Sequence, residues 1–198
     1  MNLTQEEIQS LNFAAVGRNV RIHQSVEIYG HENIRIGDNA RIDCFSLLSA
    51  GSAGIEIGRN VHVAAGSFLF GGGGKIELAD FCGLSSRVAI YTASDDYTDG
   101  FMTNPTVPER FRKVSCGDVV VSRHVIIGAG SIVLPGVHIK TGAAIGALTC
   151  VRTDVEEFEI VAGRGALTKV IGHRDRQLLD LEQQFLADNT NSQPPVPE

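Results

Sequence analysis

The chain has 198 residues, 43% hydrophobic and 20% charged, which is the composition of a globular domain with a sizeable core. Its 17 basic and 23 acidic side chains give a net charge of −6, which argues against a general binder of nucleic acid or of membrane surfaces. With 22 glycines, no tryptophan and only 6% aromatic residues, the core must consist of small and branched aliphatic side chains.

The chain begins with a pattern typical of a short helix. Thr4 and Glu7 form a capping box, and Leu3 and Ile8 stand where a hydrophobic staple would hold the helix, which we assign to residues 1–15. This segment lacks the basic and apolar stretches of a signal peptide, and no apolar run is long enough to span a membrane.

The cysteines are far apart, so we expect reduced thiols in a cytoplasmic protein rather than disulfides or zinc.

Through most of residues 16–172 an aliphatic residue returns at every sixth position. The clearest run is Val121, Ile127, Val133, Ile139, Ile145 and Val151. Small or β-branched residues follow four positions later, at Val125, Ser131, Val137, Ala143 and Thr149. Blocks that begin at Ile36, Ile57 and Leu78 lie 21 residues apart, which is three hexapeptides and a three-residue insertion.

A six-residue period fits neither an amphipathic helix nor a half-buried strand. It fits a solenoid with triangular coils, in which each side is a short strand and the aliphatic residue points inward. Glycine, asparagine and aspartate fall between the strands, where turns favour them. The pattern therefore predicts an all-β parallel β-helix of about seven coils, each stacked on the next at the usual strand spacing.

Two segments depart from the repeat. Residues 92–118 form a long loop, which we expect to be ordered by the apolar side chains of Tyr97, Phe101, Met102 and Phe111. Residues 173–198 begin with leucines and a phenylalanine at helical spacing and end in a polar, proline-rich tail. A C-terminal helix over 173–188 and a frayed tail are predicted there.

The repeats, with the motifs IGAGSIVLPGVHI and IVAG, resemble the hexapeptide-repeat acyltransferases over about residues 16–172. A narrower similarity lies in YTASDDYTDGFMTNPTVPERFRKV and HVIIGAGSIVLPGV. These stretches resemble enzymes that N-acylate nucleotide-linked 4-amino-4,6-dideoxyglucose and related 3-amino sugars for O-antigens and surface glycans. The resemblance implies that the β-helix is left-handed, which the spacing alone does not show.

The resemblance also implies partners. Members of the family are homotrimers, with active sites in the clefts between neighbouring prisms and acetyl-CoA lying beside the C-terminal coils. The long loop covers the acceptor, here a nucleotide-linked sugar. The residues that we expect to face outward toward another prism are Val63, Ala64, Ala65 and Ile126.

Asp95 and Asp96, at the start of the loop, are the candidate catalytic residues. Related sugar O-acetyltransferases carry a histidine in the corresponding T-H-P-like stretch, where this chain reads Ser94-Asp95-Asp96. The resemblance therefore assigns the proton-accepting role to Asp95 and acceptor binding to Asp96. The alternative is that these residues only cap a turn.

Four further side chains are candidates for acceptor binding. His62 falls at an outward position, where it could contact the sugar, line the cleft or simply face solvent. Arg110 and Arg112, with Lys113, are basic residues of the loop in an acidic protein, and they could meet the acceptor's diphosphate. We expect His124, which follows the loop, to be structural.

For coenzyme A, the resemblance implies that backbone groups at Gly128, Ala129, Gly146 and Ala147 hold the pantetheine arm. Small residues permit close approach to the backbone, although the corners of the fold alone could require them. The basic residues expected near the nucleotide phosphates come late in the chain, and each could instead be plain surface charge: Arg152, Arg164 and Lys169.

No metal is predicted. A γ-class carbonic anhydrase shares this fold but needs three zinc-binding histidines, two of them close in sequence. The closest pair here, His23 and His31, lies in the wrong early coils.

The function that these features favour is CoA-dependent N-acylation of a nucleotide-linked amino sugar. The alternative is an O-acetyltransferase that acts on a sugar or xenobiotic hydroxyl. Acylation of a hydroxyl needs a stronger base than acylation of an amine does. A non-catalytic scaffold or surface binder is the third class, and it has no reason to interrupt its repeat with a long ordered loop.

Overall fold

The chain winds into a triangular solenoid, seen in a computed structural model that describes residues 1–98, 100–164 and 167–191. Three parallel sheets form its sides, which we call the first, second and third faces in the order in which each coil visits them. Six coils place one strand on every face. The predicted parallel β-helix is confirmed, with six complete coils rather than seven because the chain then leaves the repeat as an antiparallel hairpin.

The strands are short and follow the coils in chain order. The first three coils contain β1 (Ala15–Val16), β2 (Arg21–Ile22), β3 (Glu27–Tyr29), β4 (Ile34–Ile36), β5 (Arg41–Ile42), β6 (Leu47–Ala50), β7 (Ile55–Ile57), β8 (His62–Val63) and β9 (Phe68–Gly71). The fourth contains β10 (Ile76–Leu78), β11 (Gly83–Leu84) and β12 (Ala89–Tyr91), and a separate antiparallel ribbon of β13 (Ala93–Asp95) and β14 (Val114–Cys116) follows.

The last two coils contain β15 (Val119–Val121), β16 (Ile126–Ile127), β17 (Ile132–Val133), β18 (His138–Ile139), β19 (Ala144–Ile145) and β20 (Cys150–Val151). The closing hairpin consists of β21 (Glu159–Arg164) and β22 (Leu167–His173). Two helices, α1 (Gln5–Ser10) and α2 (Gln177–Asn191), lie at the ends, and short 3₁₀ turns span His31–Asn33 and Glu109–Phe111. Neither α1 nor the described part of α2 is long and apolar enough to cross a membrane.

The inward positions of the repeat build one continuous core. Equivalent residues of successive coils pair directly, so that Ile34, Ile55 and Ile76 form a ladder through the prism. All three are 0% exposed, and burying each such side chain stabilises the fold by roughly 1.5–3 kcal/mol. The small positions are also buried, as Ser131 and Thr149 show.

The outward register is only partly as predicted. Ile126 is 41% exposed on the second face, as expected. Val63 and Ala64 are buried instead, because Val63 occupies the inward position of β8 and Ala64 begins the following turn. The prediction that these two residues face a neighbouring prism was therefore wrong.

One corner of the prism, between the first and second faces, forces a left-handed backbone in successive coils. We call it the helix corner. Asn39, Asn60, Phe81 and His124 occupy equivalent positions there, with φ between 56° and 62°. Asparagine and histidine tolerate this conformation better than most residues, whereas phenylalanine rarely adopts it. The Phe81 ring stacks on the His124 ring with centroids 5.1 Å apart, which holds both in place.

Helix α2 packs on the helix corner through a buried carboxylate. Glu182 is only 7% exposed, and its Oε2 lies 2.8 Å from Nε2 of His124. Arg123 approaches the same carboxylate at 3.4 Å. The predicted apolar stripe is less buried than expected, since Leu181 is 54% exposed. The helix begins at residue 177 rather than 173, because β22 continues to residue 173.

Glu182→Ala is therefore expected to lower the free energy of unfolding by about 1–3 kcal/mol, because the half-buried His124 ring loses its partner. Chemical denaturation would measure the change. Gln183→Ala, on the exposed side of the same helix, is the matched control and should be neutral. Equal stability of the two variants would show that the carboxylate does not hold the helix.

The long loop is ordered by polar contacts and not by the apolar side chains that we predicted. Tyr97, Phe101, Met102 and Phe111 are all exposed, by 44–72%. The β13–β14 ribbon closes the base of the loop instead. An apolar anchor needs a core to enter, and the loop stands outside a prism whose interior is already filled.

Candidate active site

The loop arises at the corner between the third and first faces, which we call the loop corner. The β13–β14 ribbon there pairs Asp95 with Val114, and the Asp96 N–H donates to the Lys113 carbonyl at 2.8 Å. Because side chains alternate along a strand, Asp95 and Asp96 project to opposite sides of the ribbon. The two candidate catalytic residues therefore have different surroundings.

Asp96 is engaged in holding the loop. Its Oδ1 accepts the Thr98 hydroxyl at 2.6 Å and the Thr98 N–H at 3.0 Å, and its Oδ2 lies 2.9 Å from the Lys113 ammonium. The Thr98 hydroxyl and the Lys113 ammonium hold the pKa of the Asp96 carboxyl well below its usual range. These contacts are therefore intact above the ordinary aspartate pKa and are lost only as the pH falls through the lowered value.

Asp95 has one partner on each carboxylate oxygen. Oδ2 accepts the Asn104 N–H at 2.8 Å, and Oδ1 lies 3.3 Å from Nη1 of Arg112. Each oxygen can accept a further hydrogen bond, because a carboxylate offers about four lone-pair sites. The carboxylate is thus fixed in place and still able to accept a proton.

An open pocket of about 290 Å³ lies between the ribbon and the last two coils at this corner. Both aspartates line it, together with Arg152 of the last coil. Hydroxyl groups and two apolar side chains complete the lining: Ser94, Tyr97, Thr98, Ser115, Leu134 and Pro135. This mixture of anionic, cationic and hydroxyl groups suits a polar, zwitterionic ligand.

Arg152 does not lie with the other residues that we predicted for coenzyme A. It follows β20 at the loop corner, whereas Gly128, Ala129, Gly146 and Ala147 lie between the second and third faces, at what we call the glycine corner. Within one chain these residues lie apart because the six-residue period places late residues on all three corners in turn. Arg152 lines the same pocket as the two aspartates.

The glycine-corner residues have a structural reason to be small. A Cβ added at Gly128 would lie 2.5 Å from the Ala147 nitrogen, and one at Gly146 would lie 2.9 Å from the Ala162 Cβ. Stacking of the coils therefore requires both glycines, whatever they bind. Ala129 and Ala147 are exposed at the same corner.

His62 also lies away from the aspartates. It faces outward from β8 on the second face, with its side chain 48% exposed, and its Nε2 lies 2.8 Å from an oxygen of Asp43. Lys169 is exposed on β22, which extends the same face. The Arg164 side chain lies outside the described residues.

Of the two loop arginines, only one is exposed. Arg110 stands over the Phe111 ring at 4.6 Å from its centroid, accessible to solvent. The Arg112 side chain is 14% exposed and pairs with Asp95. The prediction that both reach the acceptor's diphosphate does not fit Arg112, because its guanidinium is turned inward. The sequence carried a signal for this arrangement. Because side chains alternate along paired strands, Asp95 and Arg112 fall on one side of the ribbon, and Asp96 and Lys113 fall on the other.

Within residues 1–98, 100–164 and 167–191, no three His, Cys, Asp or Glu side chains converge as a metal site would require. The four cysteines are free thiols.

The family profile of the hexapeptide repeat of succinyl-transferase matches residues 48–70. The chain is 43% identical over 183 residues to the dTDP-4-amino-4,6-dideoxy-D-glucose acyltransferase of Escherichia coli, covering 92% of this chain and 94% of that enzyme. It therefore belongs to the hexapeptide-repeat acyltransferases, and it is an enzyme of that class.

Solved structures of AntD, an N-acyltransferase from Bacillus cereus, are also similar. A serine-to-alanine variant bound to dTDP-4-amino-4,6-dideoxyglucose and coenzyme A has a TM-score of 0.88 at 37% identity, over 94% of this chain and 98% of that one. AntD bound to dTDP and 3-hydroxybutyryl-CoA has the same TM-score and identity, over 96% of this chain and 98% of that one. In other AntD structures an aspartate ten residues after that serine is replaced.

Proposed function

We propose that this enzyme transfers an acyl group, acetyl as the first expectation, from coenzyme A to the amino group of dTDP-4-amino-4,6-dideoxyglucose or a close relative of it. The observation that carries the proposal is the loop-corner pocket, which Arg152 lines together with an Asp95 carboxylate that is held by the Asn104 N–H and can still accept hydrogen bonds. The similarity over nearly the whole chain to two enzymes of this kind supports it.

The chemistry needs a carboxylate and little else. Asp95 attracts the sugar's ammonium group and takes one proton from it, which frees the nitrogen lone pair. The nitrogen attacks the thioester carbonyl, the C–S bond breaks, and the nitrogen loses a second proton as the amide forms. Of the two protons released, one goes to the departing thiolate and the other to solvent. Holding amine and thioester together supplies the larger part of the rate enhancement, and proton transfer adds to it.

The substrate subsites follow from the positions of the charged and small residues. The acceptor occupies the loop corner, with its diphosphate near Arg152 and Arg110, while Asp96 shapes the loop that covers it. The glycine corner receives the pantetheine arm along Gly128, Ala129, Gly146 and Ala147. Beyond it we place the phosphates of coenzyme A, near Lys169 and Arg164, and His62 on the second face lines the same cleft.

These two groups of residues lie on different corners of one prism, so one chain alone cannot bring them together. In a homotrimer, the loop corner of one chain meets the glycine corner of its neighbour. In AntD, the substituted serine and aspartate lie ten residues apart. This chain has two pairs with the same spacing, Ser85 with Asp95 and Ser86 with Asp96. Both serines lie at the glycine corner, which supports a site shared between chains.

The surface character of the faces supports the same assembly. The glycine corner and its flanks expose large apolar side chains, among them Phe45 at 72% and Leu148 at 66%. The first face instead carries charged side chains at its outward positions, such as Glu56 and Glu77. An apolar strip of this kind on one side of a molecule marks an association surface.

We therefore predict that the protein sediments as a trimer at micromolar concentration, and that Leu148→Asp shifts it toward monomer. Analytical ultracentrifugation would measure both. Glu56→Lys, on the charged first face, is the control and should leave the trimer intact. A wild-type monomer would contradict the proposal and remove the shared site with it.

The proposed setting follows from the proposed substrates. Both a nucleotide-linked sugar and acyl-CoA are cytoplasmic metabolites, and the acylated sugar would serve O-antigen or surface-glycan biosynthesis. We place the enzyme in the cytoplasm for that reason.

The direct test is release of free thiol from acetyl-CoA against a panel of nucleotide-linked amino sugars. A matched sugar that carries a hydroxyl in place of the amine tests the O-acetyltransferase alternative in the same assay. 3-Hydroxybutyryl-CoA in place of acetyl-CoA tests the acyl group. Turnover with the amine and none with the hydroxyl is expected, and the reverse would overturn the proposal.

A further inference from the structure

The long loop buries a cation and exposes its large apolar side chains, which inverts the usual arrangement. The Arg112 side chain is 14% exposed, whereas Tyr97 is 72% and Met102 is 56% exposed. Among the loop residues described between 97 and 116, only Val107 and Arg112 are not exposed. A solvated surface arginine would not be folded inward in this way.

Arg112 meets Asp95 because of the ribbon register. Asp95 pairs with Val114, and Arg112 stands two residues before Val114, on the same side of the ribbon. Such diagonal neighbours lie within reach of a long side chain. The guanidinium Nη1 lies 3.3 Å from Oδ1 of Asp95, while the Asn104 N–H fixes Oδ2 at 2.8 Å.

The guanidinium is held chiefly for this contact. Its Nε is buried and has no hydrogen-bond partner among the described residues. A buried donor without a partner is unfavourable by about 1–3 kcal/mol, so the position is kept for what the other nitrogens do. The backbone reinforces it, since the Arg112 N–H donates to the Glu109 carbonyl at 2.9 Å.

We propose that Arg112 is a positioning residue for the acyl transfer, which orients the Asp95 carboxylate toward the acceptor amine. This inference rests on the proposed function. The other ionisable groups around Asp95 are Arg152 and Tyr97 in the pocket, and Asp96 with Lys113 on the opposite side of the ribbon. Arg112 is the one cation in contact with Asp95 among the described residues.

Arg112→Gln tests the proposal through separate measurement of kcat and of KM for the acceptor. The variant should lose about 100-fold in kcat/KM, as a misplaced catalytic group does. Most of that loss should fall on kcat, because Arg112 acts through Asp95 and does not bind the acceptor. Arg112→Lys keeps a cation beside Asp95 and should recover part of kcat.

Lys113→Gln is the matched control, because it removes a cation from the other side of the ribbon, where Asp96 lies. Any effect of this variant should fall on KM for the acceptor and not on kcat. If Arg112→Gln and Lys113→Gln change kcat and KM alike, the positioning role is wrong. If Arg112→Gln fails to fold, Arg112→Lys takes its place in a double-mutant cycle with Asp95→Asn, in which non-additive losses support the role and additive losses overturn it.

A double-mutant cycle separates positioning from direct binding of the acceptor. If Arg112 acts through Asp95, then Asp95→Asn combined with Arg112→Gln loses no more activity than Asp95→Asn alone. Losses that add would show that Arg112 contacts the acceptor itself. A wild-type enzyme that acylates no nucleotide-linked amino sugar would instead refute the proposed function, independently of Arg112.

Discussion

Asp95→Asn is expected to reduce turnover by about 10²- to 10⁴-fold, the usual contribution of general base catalysis. An asparagine oxygen can still accept the Asn104 N–H, so the loop should keep its shape. The amide cannot take a proton from the acceptor ammonium. Turnover at saturating acetyl-CoA and acceptor measures the loss, and calorimetric binding of acetyl-CoA should be unchanged.

Asp118→Asn is the control for this substitution. Asp118 stands at the same corner and accepts the Lys75 N–H at 2.7 Å, away from the pocket lining. It should retain turnover. If Asp95→Asn mainly raises KM for the acceptor, positioning and desolvation dominate over proton transfer. Full activity in both parameters would reduce Asp95 to a turn residue and make Asp96 or His62 the next candidate.

Val121→Lys should prevent folding or lower the free energy of unfolding by several kcal/mol. Val121 is 0% exposed inside the prism, and an unpaired ammonium there has neither water nor a carboxylate. Such a loss is comparable to the whole stability of a typical domain. Soluble yield and chemical denaturation would measure it.

The neighbouring valine provides the control. Val120 projects outward from the same strand and pairs in register with Glu77. Val120→Lys therefore places an ammonium beside a carboxylate on a solvated face, and stability should change by less than about 1 kcal/mol. A folded Val121→Lys, or an unfolded Val120→Lys, would mean that the inward register is assigned wrongly.

The register was predictable because the repeat leaves little choice. A period of six residues with one aliphatic position per repeat predicts a three-sided coil around a single interior. Residues at the aliphatic position, such as Ile127 and Ile139, are buried as this pattern predicts. The same logic located the loop, since residues 92–118 lack the repeat. The helix capping box at Thr4 and Glu7 was equally readable, because it depends only on local spacing.

The loop interior and the grouping of the site were not predictable in the same way. Apolar residues in the loop suggested anchors, but the prism offered no open core for them, and the ion pairs of Asp95 and Asp96 close the loop instead. Arg152 was grouped with late residues by sequence distance. A solenoid brings together residues that share a corner, so position around the coil decides proximity and position along the chain does not.

The strands before and after the loop pair directly, which has a consequence for how such enzymes diversify. Ile76 pairs with Ile55, 21 residues earlier, and with Val119, 43 residues later, with the same parallel geometry on both sides. The prism therefore closes beneath the loop as if the extra residues were absent. Changes of length or sequence there leave the stacking of coils undisturbed, so one scaffold can acquire new acceptors by exchanging a single segment while the rest of the prism stays the same.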